Sequence, residues 1–229
     1  MARDRRGFVD RVEAGRILAV LVAKRLRLDE ALVGTHRPLV LALPRGGVPV
    51  AVEVARAIDG DLEVIVARKI GVPWQPELAV GAVAENGPPI VNTSLLRGLG
   101  IGDPHLAAMI ERERAEVRRR VRRYRGERPA PEVTGRAVVV VDDGLATGAT
   151  ARAALAAVRV HGPAYLAFAA PVCAADSAAA LRDRADAVVC AIAPSDLYAV
   201  GQWYGDFTQV SDREVERLLA QARGAALRR

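Results

Sequence analysis

The sequence contains few of the residues from which metal sites, disulfides and histidine-based active sites are built. Of its 229 residues, 2 are cysteines and 3 are histidines. Cys173 and Cys190 have neither CxxC spacing nor a neighbouring histidine, so we expect two buried free thiols, and neither a metal site nor a disulfide. His36, His105 and His161 lie far apart and form no catalytic or metal-binding pattern.

Long apolar runs are also missing. No run approaches the roughly 18 to 20 apolar residues that a membrane helix needs. The charged opening, MARDRRGFVDRVEAGR, lacks the apolar core of a secretory signal. With 51% hydrophobic residues and a mean hydropathy of +0.13, the chain is expected to be a soluble cytoplasmic protein with no membrane partner.

Lysine is nearly absent although the chain is basic. Lys24 and Lys69 are the only lysines, and the formal net charge of +6 comes almost entirely from arginine. This balance admits nucleic acid as a partner, but it also suits a small anionic substrate. Charge alone does not decide between the two.

The most informative stretch is a strand followed by two acids and a glycine-containing turn. Val138 to Val141 is a short β-branched run typical of a buried parallel strand, and Asp142 and Asp143 follow it directly. Two carboxylates can accept hydrogen bonds from sugar hydroxyls or hold a divalent cation. The turn then opens an alanine-rich helix through Ala146, Thr147, Gly148, Ala149 and Thr150. Amide groups and hydroxyls at a helix N-terminus bind phosphate, so this stretch predicts a site for a ribose 5-phosphate.

A second glycine-rich turn follows the first predicted core strand, Pro38 to Leu43. Gly46 and Gly47 allow a ligand to approach the backbone closely, and Arg45 adds a permanent positive charge. An apolar helix is predicted after the turn, from Val48 to Ile58. We expect a second anion to bind at this turn.

The next predicted strand, Leu62 to Ala67, ends in two cations, Arg68 and Lys69. Because the carboxyl ends of parallel strands meet at one edge of a sheet, we expect both cations to lie beside the other loops. An extended segment, Ile70 to Pro76, follows them.

The remaining pattern predicts an α/β protein. Strands and helices alternate after residue 136, which indicates a three-layer sandwich with a mainly parallel sheet. A β-hairpin is predicted around Asn86-Gly87. One domain is expected over residues 1–229, with an N-terminal packing helix (Arg6 to Leu28, within 1–36), a helical insertion at 103–128 whose helix is capped by Asp103, and a C-terminal segment at 194–210.

The stretch VVVVDDGLATGAT resembles the phosphoribosyl pyrophosphate (PRPP) motif of the type I phosphoribosyltransferases. The resemblance covers approximately Leu39 to Val210. It implies that Asp142 and Asp143 hold the ribose hydroxyls, that residues 146–150 hold the 5-phosphate, and that Mg²⁺ is held mainly by PRPP, with the two acids available to it. It also implies a homodimer, and a small nucleobase-like substrate as the second partner.

The resemblance assigns the pyrophosphate to the basic residues. PRGGVPV is similar to the family's pyrophosphate loop, which implies contacts from Arg45, Gly46 and Gly47, and Arg68 and Lys69 match its basic pair. The implied reaction displaces pyrophosphate from PRPP by a ring nitrogen. The two acids would favour positive charge on the sugar, while Arg45, Arg68, Lys69 and Mg²⁺ would stabilise the departing anion.

The acceptor base is less defined. Family members carry a hood above the ribose, for which residues 194–210 are the candidate, and Leu145, Trp203, Tyr204 and Phe207 could contact a base or simply pack. The segment after Lys69 lacks the lysine and histidine of orotate enzymes. Ala146 stands where 6-oxopurine enzymes have an aspartate, so orotate, hypoxanthine and guanine are disfavoured.

One alternative comes from a different class of protein. The same fold could serve as a PRPP- or nucleotide-sensing regulator that binds RNA or DNA through the arginines of residues 118–125. Glutamates interrupt the first half of that helix, so we favour a solvated or dimer-facing surface. We prefer the enzyme because the chain keeps Arg45, Arg68 and Lys69.

Overall fold

Two β-sheets organise the chain in the computed structural model, which describes residues 7–29 and 36–226. The strands are β1 (Leu39–Ala42), β2 (Asp61–Val64), β3 (Ala67–Val72), β4 (Gln75–Ala84), β5 (Ile90–Val91), β6 (Ala137–Val141), β7 (Tyr165–Val172) and β8 (Ala187–Ile192). The α-helices are α1 (Arg11–Leu28), α2 (Gly47–Ala57), α3 (Thr93–Gly98), α4 (Asp103–Arg125), α5 (Ala149–Arg159), α6 (Ala175–Leu181) and α7 (Asp212–Ala226).

The main sheet is parallel and has five strands in the order β2-β1-β6-β7-β8. Successive residues of its central strands point to opposite faces, as the period of a strand requires. Val139 and Val141 pack in one core cluster with residues of α1, α2 and α7. Val138 and Val140 pack in a second cluster with residues of α5 and α6. The predicted α/β three-layer sandwich with a mainly parallel sheet is therefore confirmed.

A second sheet is antiparallel and has the order β3-β4-β5. The predicted hairpin is confirmed between β4 and β5, where Gly81 pairs with Val91. Strands β3 and β4 form a further hairpin that turns at Pro73 and Trp74. The prediction of one continuous strand from Leu62 to Ala67 was wrong, because the chain leaves the parallel sheet after β2 and starts β3 at Ala67.

Two local predictions need correction. Helix α4 begins at Asp103 itself and its N-cap is Gly102. Cys173 and Cys190 form a disulfide, with 6.1 Å between their Cα atoms, and are not free thiols. Cys173 directly follows β7 and Cys190 lies in β8, and these strands are neighbours in the parallel sheet, which sequence spacing could not show. Helix α7 matches no predicted element.

The first helix begins later than predicted, at Arg11, with Asp10 as its N-cap. The predicted start at Arg6 and part of the predicted region 1–36 lie outside the described residues. Residues 7–9 lie against the C-terminal segment: Phe8 forms an isolated β-bridge with Tyr204, donates its amide to the carbonyl of Trp203 and accepts from the amide of Gly205. Within the described part of the chain, no helix has both the length and the apolar character needed to cross a membrane.

Candidate functional site

Asp142 and Asp143 lie at the carboxyl end of the central strand. All five residues of β6 are buried, which fixes the strand in the sheet. The amide of Asp142 continues the sheet pairing by donating to the carbonyl of Ala169 at 3.1 Å. The amide of Asp143 donates to Oδ1 of Asp142 at 2.9 Å. The two carboxylates are therefore held side by side on a rigid support.

The turn that contains Arg45, Gly46 and Gly47 packs directly on these acids. A Cβ atom on Gly46 would lie 1.9 Å from Oδ2 of Asp143, and one on Gly47 would lie 2.6 Å from the carbonyl oxygen of Val141. A side chain at position 47 would therefore meet the backbone of β6, and a side chain at position 46 would displace the Asp143 carboxylate. The sequence predicted that glycine allows a ligand to approach the backbone closely here. In the structure, the groups that approach Gly46 and Gly47 are the Asp143 carboxylate and the backbone at the end of β6.

The predicted phosphate turn is anchored on its inner side and open on its outer side. Leu145 is buried, donates its amide to Val172 at 2.8 Å and accepts from Ala174 at 2.7 Å. Ala146 and Thr147 are exposed, and Gly148 has a φ of +71° before α5 begins. The first amide groups of an α-helix have no intrahelical acceptor, so this end of α5 can bind an anion.

Arg11 also reaches the acid pair, and sequence reasoning gave it no role. Its Nε donates to Oδ2 of Asp143 at 2.8 Å, and the two side chains are only 11% and 16% exposed. Its Nη1 donates to the carbonyl of Thr208 at 2.9 Å. No motif marks Arg11. The only available signal was a charged residue within the first part of a predicted helix.

Arg11 packs against aromatic residues of the C-terminal segment. Its guanidinium carbon lies 3.9 Å from the ring centroid of Phe207. Tyr204 stacks between Phe8 and Phe207 and donates its hydroxyl to the carbonyl of Asp143 at 2.6 Å. Residues 7–11 and 197–208 together thus form one wall beside the acids, which we call the hood wall. Trp203 packs in the same cluster and is partly buried.

Burial changes the acid–base properties of this region. Burial raises the pKa of Asp142 well above its ordinary value, and the negative charge of Asp143 raises it further. Burial also raises the pKa of Tyr204, with a smaller effect from Asp143. Tyr204 therefore acts as a neutral hydrogen-bond donor that fixes the backbone at Asp143.

Arg45 lies beside a carboxylate of the last helix. Its Nη1 is 3.9 Å from Oδ1 of Asp212, and the Tyr124 hydroxyl donates to the same oxygen at 2.5 Å. The hydrogen bond from Tyr124 is the main reason that the pKa of Asp212 is lowered. Asp212 thus stays ionised beside Arg45 and connects this turn to α4.

Arg68 and Lys69 do not end a strand of the parallel sheet, as predicted, but lie within β3 of the antiparallel sheet. Arg68 donates to Glu113 at 3.1 Å, and the Glu113 side chain is buried. Lys69 is exposed and has no ion-pair partner among the residues that the structure describes. No described contact joins either cation to Asp142 or Asp143.

The two acids fit a metal ion that binds together with a ligand better than a metal ion held by the protein alone. Within residues 7–29 and 36–226, no group of three or more His, Cys, Asp or Glu side chains could hold a metal ion. Asp142 Oδ1 and Asp143 Oδ2 already accept hydrogen bonds from the protein, which leaves the second oxygen of each for a ligand hydroxyl or a cation. Mg²⁺ commonly takes one or two carboxylates together with substrate phosphates.

The arginines of α4 are largely engaged within the protein. Arg119 and Arg120 each donate to Glu116 at 2.7 Å, and these bonds, chiefly that from Arg119, lower the pKa of Glu116 to about 2. Arg123 donates to Asp212 at 2.7 Å. Such pairing reduces the positive field available to a nucleic acid, so the regulator alternative is not favoured.

Comparison with known proteins gives a consistent result. Residues 13–202 match the family model described as phosphoribosyl transferase domain. The chain is 43% identical over 215 residues to a Mycobacterium tuberculosis protein named "Putative phosphoribosyl transferase", in two strains. The match covers 94% of this chain but 47% of the relative, so the chain spans about half the length of the curated relatives it matches.

Two solved structures share the fold. The crystal structure of TT1426 from Thermus thermophilus is 42% identical, with a TM-score of 0.77, and the match covers 94% of this chain and 98% of that one. The AQ2163 protein from Aquifex aeolicus is 12% identical, with a TM-score of 0.50, and the match covers 91% of this chain and 84% of that one. This likeness supports the fold alone.

Proposed function

The chain belongs to the phosphoribosyl transferase family, and on that premise we propose that it transfers the ribose 5-phosphate of PRPP to a ring nitrogen of a nucleobase-like acceptor, with Mg²⁺ assisting the release of pyrophosphate. The observation that carries the proposal is the close approach of the first turn to the acid pair: Gly46 packs on the Asp143 carboxylate and Gly47 on the backbone of Val141. A pyrophosphate at the first loop and a ribose at the second would then be adjacent.

The acids would bind the sugar. The uncommitted oxygens of Asp142 and Asp143 would accept hydrogen bonds from the ribose hydroxyls, and the open amides at the start of α5 would bind the 5-phosphate. Loss of pyrophosphate leaves positive charge on the sugar. Carboxylates fixed beside it stabilise that charge without having to reorganise.

Cations would bind the leaving group. Arg45 projects from the turn that packs on the acids, and its partner Asp212 lies 3.9 Å away, a separation that leaves its guanidinium donors available to an anion. Lys69 is exposed and would bind the same anion. When bound, Mg²⁺ would be held mainly by PRPP and would supply further charge neutralisation for the pyrophosphate oxygens, with Asp142 and Asp143 as the acids available to it.

The test is pyrophosphate release from PRPP and Mg²⁺ with a panel of purines, pyrimidines and pyridines. We expect release with at least one acceptor. The double variant Asp142→Asn with Asp143→Asn should lose PRPP binding, measured by calorimetry, by more than about 100-fold because two charge-assisted contacts disappear. Release that is unchanged in the double variant would contradict the assignment of the acids.

A further inference from the structure

The Cys173–Cys190 disulfide joins the end of β7 to the edge strand of the parallel sheet. Cys173 is completely buried, whereas Cys190 in β8 is only partly buried. Cleavage of a disulfide by a thiol begins with attack of a thiolate on an accessible sulfur. Cys190 is therefore the position at which a reductant can open this bond.

The buried half of the disulfide pairs with the turn assigned to the 5-phosphate. Leu145 of that turn forms an isolated β-bridge with Cys173, and both side chains belong to the same core cluster. The Leu145 amide donates to Val172 at 2.8 Å, and the Ala174 amide donates to the Leu145 carbonyl at 2.7 Å. The residues on either side of Cys173 thus hold the phosphate turn in place.

Helix α6 makes a further contact with the same turn. Its Ser177 hydroxyl donates to the Ala146 carbonyl at 2.5 Å, and its Ser177 Cβ lies 3.9 Å from where a Cβ on Gly148 would stand. Residues 172–177 therefore form one short segment that supports the turn from Leu145 to Gly148. We call this segment the turn support.

The turn assigned to pyrophosphate has a different support. Gly46 packs on the Asp143 carboxylate, and Gly47 packs on the backbone of Val141. Among the described residues, no hydrogen bond joins this turn to the turn support. A change confined to the turn support should therefore affect one half of the proposed PRPP site and spare the other.

We propose that the Cys173–Cys190 disulfide is a redox switch of the phosphate turn. The intact bond holds the turn in the form that binds the 5-phosphate, and reduction of the bond by a dithiol weakens that binding. This inference rests on the proposed phosphoribosyltransferase function and adds a means of regulating the same site.

The reduction takes two exchange steps. One thiolate of the dithiol attacks the Cys190 sulfur and releases Cys173, which takes up a proton. The second thiol of the reductant then displaces Cys190 as a thiol, and the reductant leaves as a cyclic disulfide. Two non-bonded thiols need more room than two bonded sulfurs. Because the core around Cys173 is close-packed, the separation of the sulfurs displaces the turn support.

Calorimetry with two probes tests the switch. Ribose 5-phosphate reports on the phosphate turn, and inorganic pyrophosphate with Mg²⁺ reports on the turn at Arg45. We expect reduction by dithiothreitol to weaken ribose 5-phosphate binding by about 3- to 30-fold, the range of coupling through packed networks, and to leave pyrophosphate affinity unchanged. Thiol titration should count no free thiol before reduction and both cysteines after it, and reoxidation should restore the affinity.

The matched variant is Cys190→Ser, which removes the bond and leaves the buried Cys173 in place. It should bind ribose 5-phosphate as weakly as reduced wild-type protein does, with or without dithiothreitol. An affinity that reduction leaves unchanged, or an equal loss for both probes, overturns this inference alone, as do two free thiols in protein treated with a disulfide-forming oxidant. Oxidised protein that binds neither ribose 5-phosphate nor PRPP overturns the proposed function, and the switch with it.

Discussion

Arg11 and the pair Arg68–Lys69 differ in how well the sequence indicated their place relative to the acid pair. Arg68 and Lys69 belong to a recognisable basic pair, yet β3 carries them into the second sheet, where Arg68 contacts Glu113. Arg11 belongs to no motif, yet it contacts Asp143 directly. A motif therefore identifies the residue types of a site, whereas the path of the backbone decides which of them meet.

Among single substitutions, the largest effect should come from Gly46→Ala. This variant tests the contact between Arg11 and Asp143, which is one side of the comparison. A Cβ there would lie 1.9 Å from Oδ2 of Asp143, so the carboxylate and its bond to Arg11 must move. We expect kcat/KM to fall by about 100-fold, as for an ångström-scale displacement of a catalytic group. Gly98→Ala, whose added Cβ would meet nothing within 4 Å, is the control, and equal activity of the two variants would contradict the packing argument.

The second prediction separates the two members of the basic pair. Lys69→Met should weaken PRPP binding about 10-fold, because an exposed cation is available to pyrophosphate, and should leave stability unchanged. Arg68→Met should cost about 1 kcal/mol of unfolding free energy, because buried Glu113 loses one of its two arginine partners. Calorimetry measures the PRPP affinity of each variant, and chemical denaturation measures its unfolding free energy. Equal losses of PRPP affinity would mean that the pair acts together on the ligand.

The smallest effect concerns the acids themselves. Burial raises the pKa of Asp142, so its ionised form weakens the fold: the stability associated with the neutral carboxyl is complete below the ordinary pKa of 3.8 and is lost as pH rises through the raised value. Asp142→Asn should therefore stabilise the protein at pH 7, by on the order of 1 kcal/mol, and have little effect near pH 3.

Thermal unfolding of Asp142→Asn across that pH range checks the sign. The matched variant Asp143→Asn should be destabilising at pH 7, because Arg11 loses its charged partner while it remains mostly buried. A stabilising effect of Asp143→Asn would indicate that the Arg11 ion pair contributes nothing to the fold.

The sequence predicted the central sheet well because its signals are local. β-branched runs, glycine turns and an alanine-rich helix specified β1, β6 and α5 to within a few residues, together with the turns at Gly46 and Gly148. The division into one domain with an insertion and a hood remains a prediction, as do the roles of the site residues.

The contacts that sequence reasoning missed join distant parts of the chain. The Cys173–Cys190 disulfide depends on which strands become neighbours, and the place of Arg68 depends on where the chain leaves the first sheet. The Arg11–Asp143 bond links residues 132 positions apart. A period or a turn signal specifies local conformation and carries no information about such pairings.

The position of Arg11 has a consequence for how the protein is made. Its two hydrogen-bonding partners lie 132 and 197 residues further along the chain. At about 5 to 20 residues per second, the ribosome needs roughly 10 to 40 seconds between Arg11 and Thr208. The parallel sheet can assemble while translation continues, but the wall beside the acids closes only when nearly all of this sequence has emerged.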